Sequence, residues 1–259
     1  MDDPAIGVVE HRAALAGLSR INAISGAWRG LWRAIGGLAR EHRGGARGPL
    51  RVLDVATGSG DAPINLARQA RRCGVELELW ACDVSAVALG EAQRRAQAAG
   101  ERVRTFVADA QADDQAWAAA LAHARVRTGA SGGAGEGARG APGFDVVMCS
   151  LFLHHLDGPD VTRVLARMGD ASSGLVLAHD LERSAMGLTL ASVVPRLLTR
   201  SRVVHVDAVR SVRGAYTREE LLELAGGAGL LGARVTRAFP CRLMLEWRRD
   251  AGRGPGGGG

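Results

Sequence analysis

Between Leu50 and Ala62 the chain reads Leu-Arg-Val-Leu-Asp-Val-Ala-Thr-Gly-Ser-Gly-Asp-Ala, and this stretch limits the fold more than any other. The apolar residues up to Val55 suit a buried strand, Gly58 and Gly60 a tight reversal, and Asp61 onward a helix start. Strand, glycine turn and helix in direct succession make the first unit of a parallel α/β sheet. Without Cβ atoms at 58 and 60, the backbone can approach a nucleotide-like ligand closely. Asp54 sits inside the apolar strand, where an ion is costly unless a ligand or a loop N–H meets it.

Four more segments repeat the pattern of an apolar run ending in polar residues. Glu76–Asp83 ends in a carboxylate placed to hold ribose hydroxyls, 25 positions after Gly58. Arg102–Ala110 ends in Asp109-Ala110, Phe144–Ser150 leads into Leu-Phe-Leu-His-His-Leu, and Leu175–Asp180 closes on His179-Asp180. Polar residues at the carboxyl ends of successive strands are where open α/β sheets bind ligands.

Two cofactor types compete for the glycine turn. A dinucleotide fingerprint requires a third glycine where this chain has Pro63, and Asp61 would set a negative charge against a pyrophosphate. A sulfonium cofactor without phosphate tolerates both. The run resembles the first motif of class I S-adenosylmethionine-dependent methyltransferases, with Ala56 at the first of that motif's three glycines, and the resemblance extends over residues 50–248. It implies a Rossmann-like, doubly wound, mostly parallel sheet with an antiparallel closing hairpin, an N-terminal helical cap and a helical lid. S-adenosylmethionine is the implied cofactor. Its implied contacts are Asp54, Ala56, Gly58, Gly60, Asp61, Asp83, Val84, Asp109, Ala110 and Ser150, with the Asp109-Ala110 pair reading the adenine.

Composition narrows partners and compartment. With no lysine, all 33 basic residues are arginine, and with 36 glycines the pI near 10.2 reflects coding bias rather than a nucleic-acid footprint. Cys73, Cys82, Cys149 and Cys241 have no metal-ligand spacing and read as reduced thiols of a cytoplasmic protein, and no metal site is expected. No apolar run reaches the length of a membrane span.

The chain divides into a helical cap at 1–48, a methyltransferase domain at 49–248 and a disordered glycine-rich tail at 249–259. Within the domain, residues 129–143 read as a flexible Gly/Ala-rich insertion and 182–216 as a lid, its apolar stretch broken at Pro195 and bordered by arginines. Thr217-Arg218-Glu219-Glu220 is a capping box opening a further helix. Residues 233–239 and 241–247 form a closing hairpin, broken at Pro240.

Methyl transfer from a sulfonium is an in-line displacement, and a phenol or enol acceptor also needs a base. The stretch Leu151–Asp157 resembles that of small-molecule O-methyltransferases in which a histidine before Asp-Trp is the base. His154 takes that position, with His155 and Leu156 replacing the Asp and Trp. His179 is the second catalytic candidate, and Tyr216 reads as an anchor for the helix start. The implied acceptor is a small apolar molecule, phenolic, polyketide-like or quinone-like, methylated on oxygen or carbon. Membrane-surface contact through the lid is a further expectation, and nucleic acid is disfavoured as partner. Two alternatives stay open: a non-catalytic S-adenosylmethionine-binding protein and, against Pro63 and Asp109-Ala110, a nicotinamide oxidoreductase.

Overall fold

The computed structural model describes residues 27–41, 48–112, 114–126, 143–198 and 202–249. Most of the expected cap, the insertion at 129–142 and the tail from 250 lie outside the described residues. One seven-stranded sheet organises the rest, in the order β3-β2-β1-β4-β5-β7-β6. Strands β1 (Leu50–Val55), β2 (Leu77–Asp83), β3 (Arg104–Val107), β4 (Phe144–Ser150) and β5 (Ser172–Leu181) pair in parallel, and β7 (Arg242–Arg248) runs antiparallel between β5 and β6 (Arg234–Ala238). Winding outward in both directions from β1 and β4 leaves a crevice where their carboxyl ends diverge.

Two apolar layers sandwich the sheet. On one face lie α1 (Ala27–Glu41), through Leu31, Ile35 and Ala39, and α2 (Asp61–Arg72), through Leu66, Ala67 and Ala70. The other face carries α4 (Asp114–Val126), α5 (Gly158–Ala171) and α8 (Arg218–Gly227). There Trp80 meets the edges of Phe106 and Phe144 at 6.3 and 6.0 Å. Helix α3 (Ala86–Ala98) flanks β2 and β3, while α6 (Ala185–Leu198) and α7 (Arg202–Gly214) pack on one another as a helical hairpin between β5 and α8.

Boundaries follow local chemistry. Pro63 falls in the first turn of α2, where its missing N–H has no intrahelical acceptor to lose. The capping box is formed, with Thr217 Oγ1 accepting from Glu220 N at 3.3 Å and Glu220 Oε2 accepting from Thr217 N at 2.8 Å. The expected break at Pro195 is corrected: α6 continues through it to Leu198, the proline giving up only the one bond its missing N–H would make to the carbonyl of Ala191. Strand β3 is shorter than its apolar run, since Arg104 and Val107 are exposed at the sheet edge.

Gly58 and Gly60 serve different ends although both have positive φ, at 55° and 76°. A Cβ on Gly60 would stand 2.9 Å from Ala92 Cβ in α3, whereas one on Gly58 would meet nothing within 4 Å. Gly60→Ala therefore carries both a dihedral cost and an overpacking cost and is expected to lower stability in urea titrations by about 2–4 kcal/mol. Gly58→Ala, with the dihedral cost alone, is expected to lose about 1 kcal/mol.

Candidate active site

The glycine turn is held from three directions. Asp83, the last residue of β2, accepts from Gly58 N at 2.8 Å through Oδ2 and from Ser85 N at 2.9 Å through Oδ1. One carboxylate thus fastens the β1 turn to the start of α3. Thr57 N donates to Cys82 O at 3.0 Å, and Arg95 of α3 reaches across to Ser59 O at 3.0 Å and to Asp61 Oδ1 at 2.5 Å. Arg95 is a site residue the sequence reading missed. It answers the charge of Asp61 at the α2 N-terminus, 34 positions away, with no local pattern to reveal it.

Asp54 is buried, and only one of its oxygens is met. Oδ2 accepts from Thr57 Oγ1 at 2.6 Å, while Oδ1 has no hydrogen-bond partner among the described residues. Burial, partly offset by the Thr57 bond and reinforced by the charges of Asp83 and Asp61, pushes this carboxyl up to about 7. Ala56, at the family's glycine position, has φ 54°, a left-handed conformation that costs a residue with a Cβ about 1 kcal/mol or more.

The remaining expected cofactor residues lie at or just past the carboxyl ends of β2, β3 and β4. Val84 is 68 % exposed just past β2. Asp109 is exposed past β3, its Oδ1 accepting from Gln111 N at 2.7 Å, and the buried Ala110 gives its carbonyl to Arg167 Nη1 at 2.7 Å. Arg167, buried and also bonded to Asp114, is a second residue unmarked in the sequence. Ser150 ends β4 beside His179 of β5.

Beyond β4 the structure pairs His154 with Asp180, not His179 with its neighbour. His154 Nδ1 lies 2.6 Å from Asp180 Oδ1, and both side chains are buried. Asp180 Oδ2 accepts from the backbone N–H of Phe152, Leu153 and His154 at 3.0, 2.6 and 3.3 Å, and Oδ1 also accepts from Leu181 N at 2.7 Å. Burial pushes this carboxyl up, but the His154 charge and hydrogen bonds from His154, Leu181 and Leu153 outweigh it, leaving it below its ordinary range. An ionised carboxylate only accepts, so Nδ1 of His154 is the donor in this pair.

His179 points to the opposite sheet face, as alternation along β5 requires. It lies beside Met244 on β7 and beneath Gly30 of α1, where an added Cβ would stand 3.9 Å from His179 Cδ2. Its Nδ1 is buried without a hydrogen-bond partner among the described residues. Burial first, then Arg242, brings it down to about 4, with Asp180 opposing. Tyr216 donates to Leu156 O at 2.6 Å, which ties it to the His154 turn as well as to the start of α8 that it precedes. Cys82 and Cys149 are buried, and burial raises both thiols. Cys73 and Cys241 are half-buried.

Asp54 ties stability to pH in a defined sense. A carboxyl raised on folding costs nothing well below 3.8, and its penalty grows with pH until it is complete above about 7. Asp54→Asn keeps an acceptor for Thr57 without the charge. In chemical denaturation of ligand-free protein the variant is expected to exceed the parent at pH 8, by on the order of 2 kcal/mol, with the gap narrowing toward pH 4.

The open space at Gly58 and the unmet oxygen of Asp54 are what a bound ligand with donor or cationic groups would satisfy. Residues 53–172 match a family described as a methyltransferase domain. No curated protein matches the chain. Solved structures do, at low identity. A putative O-methyltransferase from Nostoc punctiforme PCC 73102 is 19 % identical with a TM-score of 0.53, over 83 % of this chain and 54 % of that one. This chain therefore spans about half the length of the Nostoc protein. Magnesium protoporphyrin IX methyltransferase from Synechocystis PCC 6803, crystallised with S-adenosylhomocysteine, is 16 % identical with a TM-score of 0.52, over 96 % and 90 %. An O-methyltransferase family 2 protein from Planctomyces limnophilus DSM 3776, in complex with apigenin, is 17 % identical with a TM-score of 0.53, over 96 % and 63 %. Glycine turn, strand-end carboxylates, strand order and domain match agree, and the nicotinamide alternative falls away: residues 53–172 match a methyltransferase domain, on the fold of S-adenosylmethionine-dependent methyltransferases.

Proposed function

We propose that the protein methylates oxygen or carbon of a small apolar acceptor, a phenolic, polyketide-like or quinone-like ring, with His154 as general base and Asp180 as the residue that positions it. The buried 2.6 Å contact between His154 and Asp180 carries this reading. S-adenosylmethionine, when bound, supplies an electrophilic methyl group. Asp83 would hold its ribose with lone pairs left free by Gly58 and Ser85, Asp109 and Ala110 its adenine, and the turn from Asp54 to Asp61 its remaining length.

The work of the chain is orientation and proton transfer. A phenol with a pKa near 10 is mostly protonated at neutral pH, and an imidazole fixed in one tautomer can accept its proton as the new bond forms. Asp180 fixes that tautomer and offsets the positive charge on His154 as it develops. His179 is the weaker base candidate, because burial and Arg242 oppose its protonation. The lid hairpin over 182–216 would cover the acceptor, since the end of α7 closes on the His154 turn: a Cβ on Gly214 would stand 2.7 Å from His154 O. The small-molecule methyltransferases among the similar structures support an acceptor of that size.

Turnover of a phenol panel separates an enzyme from a protein that only binds the cofactor. His154→Ala is expected to lower kcat/KM by about 10²-fold or more with cofactor affinity unchanged. Its residual rate should climb with pH toward the acceptor's own pKa, because only phenolate then reacts. A parental rate and pH profile would remove the base and leave positioning alone. Asp83→Ala is expected to abolish cofactor binding in calorimetric titration while circular dichroism stays parental.

A further inference from the structure

The outer face of α6 has no partner among the described residues. Met186, Leu190, Val193 and Leu197 recur at helical spacing and are 65, 38, 50 and 79 % exposed. At about 100° per residue they fall within an arc of roughly 60°, so they form one continuous apolar stripe along the helix. A solvated helix face of this kind is costly unless something covers it. Among the described residues no helix is long and apolar enough to cross a membrane, so a bilayer would be met by the stripe lying in its interface.

Charge tells which surface. Residues 185–214 hold five arginines against a single acidic residue, Asp207, so this hairpin supplies +4 of the chain's formal net charge of +6. The rest of the protein is nearly neutral. Arg196, Arg210 and Arg213 are exposed, and Arg210 and Arg213 follow the exposed Val206 along one face of α7. An apolar stripe with cationic borders and almost no acidic residues is the composition of a helix that seats in the interface of an anionic bilayer.

We infer that the α6–α7 hairpin docks the protein on anionic membrane surfaces, with Met186, Leu190, Val193 and Leu197 entering the acyl boundary and the arginines meeting lipid phosphates. The end of α7 adjoins the His154 turn, so docking brings the acceptor side of the site to the bilayer. This inference does not depend on the nature of the acceptor, because its test reads lipid binding and not turnover.

The test is flotation of the full chain with vesicles of phosphatidylcholine alone or mixed with phosphatidylglycerol. The parent is expected to float with the mixed vesicles and to be released by high salt. Leu190→Asp with Leu197→Asp should lower bound protein by roughly tenfold, and Arg210→Gln with Arg213→Gln should remove the preference for anionic lipid. Circular dichroism and S-adenosylmethionine titration should stay parental in both variants. Absence of parental flotation, or equal flotation by the Asp variant, overturns the inference. So does light scattering that shows a parental dimer dissociated by the Asp substitutions, since the stripe would then face a second copy.

Discussion

Parallel strands end in abrupt reversals whose backbone N–H groups have lost their ladder partners, and this fold closes those reversals with carboxylates. Asp83 gathers Gly58 N and Ser85 N, Asp109 takes Gln111 N, and Asp180 takes three successive N–H groups after β4. Asp54 does the same work through the Thr57 hydroxyl. Each bond is worth only about 1–3 kcal/mol, yet removing a buried acceptor would strand several donors at once. The loops of the crevice are therefore shaped by the same acidic groups that surround it.

That economy sets a conflict. Burial raises Asp54, the neighbouring charges of Asp83 and Asp61 add to it, and Ala56 and Leu151 sit at positive φ, 54° and 57°, just beyond β1 and β4. Strain and an unmet carboxylate oxygen thus collect at the carboxyl ends of the strands. A cationic cofactor relieves part of this repulsion, which gives the fold a reason to be better ordered when loaded.

How much could be read from the chain depended on the range of the interaction. Gly58, Gly60, Asp54 and Asp83 were legible because a strand followed by a left-handed turn demands glycine within a few residues, and the capping box at Thr217 likewise declares itself locally. Arg95 and Arg167 were not, since each reaches a partner more than 30 positions away and an arginine on a helix looks like any solvated charge. The His154–Asp180 pair escaped for a related reason. Adjacent residues on a strand face opposite ways, so the neighbour of His179 was free to serve a histidine 26 positions earlier. Pro195 misled because a proline inside a helix removes one backbone bond without ending the helix.

Strand β5 has a consequence for how the molecule is made. Its ten residues, Ser172–Leu181, are almost wholly buried, but the partner on its outer side, β7, lies more than sixty positions further along the chain. During synthesis, until Arg242–Arg248 has left the ribosome, this apolar strand is an open border able to pair with any other nascent chain. The lid and α8 are translated in that interval. Successful assembly is therefore a race between the arrival of the last strand and aggregation.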